Sequence, residues 1–225
     1  MKWQGFLWRK LFWLRFQLFQ RQRFDQLVLE QVAARPFLIL PQVFNPTLFR
    51  TSKFMVTAFN EQLIPPGSRV LDMGTGSGIG AIFASQWASQ VVAVDVNPIA
   101  VRCARINVLL NQVENCVQVS ESDLFTALPP QAFAVILFNP PFLRGQPTTL
   151  LDKALWATNV IERFALAVDD YLAENGRILL LLSSLADEQS ILSYFPHFHI
   201  TIAAQQNIKS EIVTLYQLIH KTNDI

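Results

Sequence analysis

Residues 69–80 constrain the fold more than any other stretch of this chain. They read Arg69-Val70-Leu71-Asp72-Met73-Gly74-Thr75-Gly76-Ser77-Gly78-Ile79-Gly80. The apolar run ending at Met73 suits a strand buried in a sheet. Glycine at every second position from Gly74 lets the backbone turn sharply and lets a ligand approach it closely. A helical pattern follows over 79–88, so a helix N-terminus faces whatever occupies the loop. Strand, glycine turn and helix in that order belong to a parallel sheet with helical crossovers.

The rest of the chain repeats that alternation. Strands are expected at 91–96, 117–119, 133–138, 178–182, 199–203 and 212–218, with helices at 79–88, 98–110, 151–172 and 186–194. Asn97 suits a cap and Pro98 a first helical turn. Asn175-Gly176 suits the end of the long helix. The 178–182 run is apolar throughout, which predicts burial on both faces. A short loop joins the last two strands, which fits an antiparallel pair at the sheet edge. The expected fold class is therefore α/β, a doubly wound, mostly parallel seven-stranded sheet. Upstream, Pro36, Pro41 and Pro46 mark a linker, and a short helix fits 53–62 before Pro65-Pro66-Gly67 ends it.

Residues 1–35 read differently. There is no glycine after Gly5 and no proline before Pro36, so a helix is expected over 3–34. It is rich in aromatic residues: Trp3, Phe6, Trp8, Phe12, Trp13, Phe16, Phe19 and Phe24. Seven basic groups stand in 1–35 against Asp25 and Glu30, while the rest of the chain has eleven basic and fifteen acidic groups. The expected division is a basic, aromatic, helical arm at 1–35 and a catalytic domain at 36–225. Around a helical wheel the arm mixes apolar and basic residues, which suits packing on the domain with arginine stems over apolar surface. Docking of a phosphate-bearing substrate and contact with a membrane surface are its other readings.

With 51% apolar and 16% charged residues, the chain is globular in composition. No run of 18 apolar residues suits a transmembrane helix. Arg9, Lys10 and Arg15 break the N-terminal apolar run, which makes it a poor secretion signal. Cys103 and Cys116 make neither a disulfide framework nor a zinc site. The expectation is a cytoplasmic protein with reduced thiols and no metal.

Three acids and the glycine loop form the candidate cofactor site. Asp72 can accept hydrogen bonds from a cationic amine. Asp95 ends the second strand, 23 residues after Asp72, and can hold two ribose hydroxyls. Asp123 follows the third strand and can accept an adenine amine, with Leu124 and Phe125 beside the ring. With Gly74, Thr75, Gly76 and Gly78, this set suits S-adenosylmethionine (SAM). It also suits a nicotinamide dinucleotide, because Gly76, Gly78 and Ala81 satisfy the G-x-G-x-x-A form. The fourth strand supplies what a NAD(P)-dependent oxidoreductase does not explain. It ends in Phe138-Asn139-Pro140-Pro141-Phe142. The prolines fix their φ angles and hold their carbonyls rigid. The Asn139 side-chain oxygen and the Pro140 carbonyl can accept both hydrogens of a planar NH2 group. Two fixed acceptors favour the pyramidal, nucleophilic nitrogen of a transition state. Phe142 offers a flat face to a base or an amide plane.

Taken together, Asp72-x-Gly-x-Gly-x-Gly, Asp95, Asp123 and Asn139-Pro-Pro-Phe resemble the class I, Rossmann-like, SAM-dependent methyltransferases of amino nitrogens. The resemblance covers roughly residues 40–220. The chain looks most like the HemK-type branch, which methylates protein glutamine in translation release factors. It is also similar to the "small-domain" RNA methyltransferases. Val94-Asp95-Val96-Asn97-Pro98 with Ala100, Ala104 and Asn107 fits the wider set. Asp152, the stretch Val160-Ile161-Glu162-Arg163-Phe164, and Ser183-Ser184-Leu185 are closer to the HemK-like branch. So is Val43-Phe44-Asn45-Pro46 with Thr51 and Phe54, which resembles that branch's loop over SAM. Leu48, Phe49 and Arg50 stand where that branch carries an acidic pair, and Phe142 where it usually carries Tyr. The resemblance implies SAM as methyl donor, with Asn139 bordering the cofactor as well as the target. It implies a macromolecular substrate, either a release-factor-like protein or an RNA base methylated at guanine N2 or adenine N6.

Overall fold

The computed structural model describes residues 26–47, 50–141, 159–208 and 211–221. A hairpin comes first, β1 (Val28–Val32) with β2 (Arg35–Ile39), followed by α1 (Thr51–Ala58). Then come β3 (Arg69–Met73), α2 (Ile79–Ala84), β4 (Gln90–Asp95), α3 (Pro98–Leu110), β5 (Val117–Glu121) and β6 (Phe133–Phe138). The chain ends with α4 (Val160–Ala167), β7 (Leu172–Ser183), α5 (Glu188–Leu192), β8 (Phe198–Ile208) and β9 (Glu211–His220). Seven strands form one sheet in the order β5-β4-β3-β6-β7-β9-β8. The strands from β3 to β7 run parallel, and β9 lies antiparallel between β7 and β8. The expected doubly wound, mostly parallel, seven-stranded sheet is what forms. The chain winds outward from β3 to β5, then returns to β6 on the other side of β3. Successive crossovers diverge there, which opens a crevice at the carboxyl ends of β3 and β6.

The apolar runs of the central strands are explained by their two faces. Side chains alternate across a strand. Leu179 and Leu181 of β7 join the core layer under α1, α2, α3 and the hairpin, whereas Ile178, Leu180 and Leu182 join the layer under α4 and α5. In β3, Val70 goes to the first layer and Leu71 and Met73 to the second.

The hairpin corrects the expected N-terminal helix over 3–34. Residues 28–32 are a strand, and the expected boundary at 35/36 cuts the hairpin in two. The rest of the expected arm, 1–25, lies outside the described residues. The turn is Ala33-Ala34, with φ of 44° and 67°. Two-residue hairpin turns of this hand normally carry Asn or Gly, so alanines leave no turn signal in the sequence. Tertiary packing overrides helix propensity here: Val32, Phe37 and Ile39 are all buried against the domain. The expected 151–172 helix is also shorter. Its described part is α4 and a single 3₁₀ turn at Val168–Asp170, after which Leu172 already pairs in the sheet with Phe133.

Asn107 of α3 joins the hairpin to the glycine loop. Its side chain is fully buried. Its Oδ1 accepts from the Leu38 amide at 2.7 Å, and its Nδ2 donates to the Leu38 carbonyl and the Ser77 carbonyl at 2.9 Å each. The amide thus imitates a neighbouring strand for β2 and holds the floor of the loop. Replacing Asn107 with Ala is expected to leave buried backbone groups unpaired and to destabilise the fold by about 2–4 kcal/mol. Urea unfolding measures this, with an unchanged m-value.

Candidate functional site

A cleft opens at the expected crevice. Its floor is the glycine loop, with Gly74, Thr75, Gly76 and Ser77 exposed to it. Asp95, Asn97 and Ala100 line one side, and Ser122, Asp123 and Leu124 continue that wall. Phe138, Asn139, Pro140 and Pro141 close the other end, facing Gln42, Val43, Phe44 and Ser52. The described residues therefore bring together the glycine loop, the two strand-end acids and the Asn-Pro-Pro turn. Phe142 lies outside the described residues.

The loop needs its glycines for two different reasons. Gly74 and Gly76 have φ of 68° and 58°, and a Cβ on either would meet open space. Their conformation, not crowding by the protein, excludes other residues. Gly78 has φ of 83°, and a Cβ there would lie 3.2 Å from Ala104 of α3. It does not line the cleft but brings the loop against the helix.

Hydrogen bonds clamp the loop from both sides. Thr75 N–H donates to the Val94 carbonyl at 2.9 Å. Gly76 N–H donates to Asp95 Oδ2 at 2.8 Å, and Asn97 N–H to Asp95 Oδ1 at 2.9 Å. Asp95 therefore faces the cleft with its carboxylate fixed by backbone amides. Asp72 is placed otherwise. It stands behind the loop, outside the cleft lining and only 4% exposed. Its Oδ2 accepts from the Thr75 hydroxyl at 2.6 Å and the Ala81 amide at 2.8 Å.

Asp123 is half exposed and forms an ion pair with Arg163 of α4 at 2.8 Å. Asn139 Nδ2 donates to Ser52 Oγ at 3.1 Å. The sequence did not single out Ser52, and it marked Arg163 only as part of the 160–164 stretch, not as a partner of Asp123. The motif resemblance drew attention to Thr51, but it is the next residue that lines the cleft. No local sequence signal pairs Arg163 with a residue 40 positions earlier. The loop before α1 is tied as well: Asn45 Oδ1 accepts from Thr47 N–H and Oγ1, and its Nδ2 donates to Glu30 of β1 at 3.1 Å. Among the described residues, no group of three His, Cys, Asp or Glu side chains could hold a metal ion, and no helix is long and apolar enough to cross a membrane.

Residues 36–211 match the methyltransferase small domain. The chain belongs to that family. It is a SAM-dependent methyltransferase domain, with SAM as its methyl donor. A Methanocaldococcus jannaschii protein, provisionally named a protein N5-glutamine methyltransferase, is 33% identical over 153 residues, which is 63% of this chain and 76% of that one. The Thermus thermophilus 16S rRNA N2 G1207 methyltransferase, solved with AdoMet and guanosine, superposes with a TM-score of 0.66 at 19% identity. The match covers 87% of this chain and 50% of that one, so the chain spans half the length of that enzyme. A chain of the E. cuniculi Mtq2–Trm112 complex, responsible for methylation of the eRF1 translation termination factor, superposes with a TM-score of 0.61 at 20% identity, covering 80% and 99%. At these identities, the two structural likenesses establish the fold. The nicotinamide alternative gives way to the family match. The antiparallel β9, inserted before the edge strand, also departs from the usual dinucleotide-binding strand order.

Burial shapes the electrostatics of this methyltransferase loop. Desolvation pushes the Asp72 carboxyl up from 3.8 to about 6, partly opposed by the bonds from Thr75 and Ala81. Desolvation also raises Asp95, opposed by the amides of Asn97 and Gly76. A carboxyl raised in the folded state binds its proton more tightly there than in the unfolded chain. Its contribution to stability is therefore complete below about pH 4 and is lost as pH rises through about 6. Asp72→Asn retains an acceptor oxygen but cannot ionise. Relative to the wild type it is expected to gain stability as pH rises from 4 to 7, by roughly 2–3 kcal/mol across that interval. Urea titrations at several pH values measure the difference, and a pH-independent offset would contradict it.

Proposed function

We propose that this domain methylates the side-chain amide nitrogen of a glutamine in a protein. The observation that carries the proposal is the turn Asn139-Pro140-Pro141, which ends β6 in the same cleft as the glycine loop on adjacent β3. The name of the M. jannaschii relative supports the same substrate class.

The cleft's residues fit SAM. Gly74, Thr75 and Gly76 leave open backbone for the methionine part. Asp95, its carboxylate already fixed by two amides, accepts from the ribose hydroxyls. Asp123 accepts from the adenine amine, and Leu124, Ile79 and Ala100 supply apolar walls. Asp72 acts from behind, as the tie that keeps Thr75 and the loop in shape. When bound, SAM supplies an electrophilic methyl group.

The target end needs neither metal nor strong base. An amide nitrogen is a poor nucleophile because its lone pair is delocalised into the carbonyl. The Asn139 oxygen and the Pro140 carbonyl accept its two hydrogens and favour the pyramidal nitrogen, whose lone pair is free. Fixing the nitrogen toward the methyl group supplies much of the remaining acceleration. As the N–C bond formed, the methyl–sulfur bond of SAM would break with its electron pair left on sulfur, S-adenosylhomocysteine would leave, and the surplus proton on the nitrogen would pass to water. Phe142 is assigned to pack on the flat face of the amide.

RNA is the second reading, and the seven basic groups in residues 1–35 favour it. In that case the same acceptors take the exocyclic amine of a base. Labelled SAM incubated with a lysate of cells lacking the protein separates the two. Label released by protease and resistant to ribonuclease is expected, whereas label released by ribonuclease would replace glutamine with a base.

Two substitutions test the assigned roles. Asn139→Ala is expected to lower transfer by at least about 100-fold while changing SAM affinity less than about threefold. Asp95→Ala is expected to weaken SAM binding by about tenfold or more, measured by calorimetry without any methyl acceptor.

A further inference from the structure

Ser52 is a polar side chain from outside the recognised motifs that touches the Asn-Pro-Pro turn. Its Oγ accepts from Asn139 Nδ2 at 3.1 Å across 87 positions of sequence. It is 5% exposed, yet it lines the cleft. It stands in the first turn of α1, whose Phe54, Met55 and Val56 are buried in the main core layer. The hydroxyl is therefore presented from a rigid element, not from a loop tip.

The terminal torsion of an asparagine is broad, so its amide plane is set by its partners. Pro140 and Pro141 fix the backbone after Asn139 but do not fix that plane. The bond to Ser52 restrains it. With the hydroxyl accepting, the bond engages the nitrogen end of the amide and leaves the oxygen end for the cleft, where the N–H groups of a target favour that orientation over the flipped one. A flipped or rotating amide would offer an N–H to a target N–H, which is repulsive. We infer that Ser52 is a positioning residue for methyl transfer, holding the Asn139 amide so that its oxygen faces the target nitrogen. The inference rests on the acceptor role proposed above for Asn139.

The same contact links the two ends of the cleft. Gln42, Val43 and Phe44 line it just before α1, and Asn45 ties that segment to Glu30 of the hairpin. Ser52 carries the position of this wall to the acceptor side. Orientation of Asn139 thus depends on α1 being seated.

Ser52→Ala is a mild change for the fold, since alanine is the better helix former. Its expected effect is about a tenfold fall in turnover at saturating SAM. SAM affinity should stay within about twofold, and Ser52→Thr should restore most of the rate. Transfer is read as label moved from SAM into acceptors of the deficient-cell lysate. A second readout needs no acceptor: the side-chain NH2 resonances of Asn139, identified as the nitrogen–proton pair that Asn139→Ala removes. In Ser52→Ala they should shift toward the positions of an unrestrained asparagine amide as rotation about the side-chain torsion averages their surroundings, and in Ser52→Thr they should return. Full turnover in Ser52→Ala beside an inactive Asn139→Ala, or an unmoved resonance pair, overturns the positioning role alone. Wild-type transfer by Asn139→Ala would instead overturn the reading of the site.

Discussion

The carboxylate of Asp72 lies under the glycine loop with almost no contact with solvent, and the cleft above it depends on that placement. Burying a carboxyl without partners is costly. Here Thr75 and Ala81 supply the partners, and both belong to the segment that must be shaped for a ligand. Asp95 holds the same loop from the adjacent strand through Gly76. One acid thus works from behind the loop and the other from its open side. The loop's positive φ angles persist because bonds from two strands and one helix fix them. Each carboxyl is raised mainly by loss of water, and the nearby charge of Asp95 raises Asp72 a little further.

The rest of the fold brings distant segments to that loop. Because the strand order reverses between β3 and β6, the Asn139 turn lies beside Gly74 although 65 positions separate them. The hairpin lies far from the chemistry in sequence, but Asn107 makes it part of the same support. Leu38, Asn107 and Ser77 form a continuous polar connection through an otherwise apolar layer. A buried polar network of this kind is stable only when every member is satisfied. Such connections explain how the segment before α1, which carries few motif residues, becomes one wall of the cleft.

The chemistry asked of the site is modest in kind and strict in geometry. SAM already carries an activated methyl group, so under the function proposed above the protein's task is to hold a planar nitrogen in line and to favour its pyramidal form. Rigid acceptors do this better than mobile ones, because they need no reorganisation during the reaction. The prolines make the backbone carbonyl rigid. Ser52, on a helix anchored in the core, does the same for the side-chain amide.

Much of this was legible in the sequence, and the reason is local. The glycine loop, Asp95 at a strand end and the Asn-Pro-Pro turn each state their backbone requirement within a few residues. The strand pattern then fixes the order of the sheet and hence the crevice where they meet. The helix expected over 28–32 failed because Ala33 and Ala34 form a turn that is usually written with Asn or Gly, and because long-range packing of Phe37 and Ile39 outweighed local propensity. Asp72 was read as an acid that accepts from a cationic amine of the cofactor; that it faces away from the cleft was not legible, since direction depends on which neighbours supply hydrogen bonds. Ser52 had no sequence signal, and although Arg163 and Asn107 fell within motif stretches, their pairing with Asp123 and with Leu38 and Ser77 had none, because each contact joins residues 30 or more positions apart whose types are common everywhere. The sequence by itself determined the sheet, the glycine loop and the residue types at the proposed transfer site, because period, glycine and proline act on the nearby backbone. Only the tertiary structure decided which side chains steady them, because a hydrogen bond across the fold is set by packing distances that no local pattern encodes.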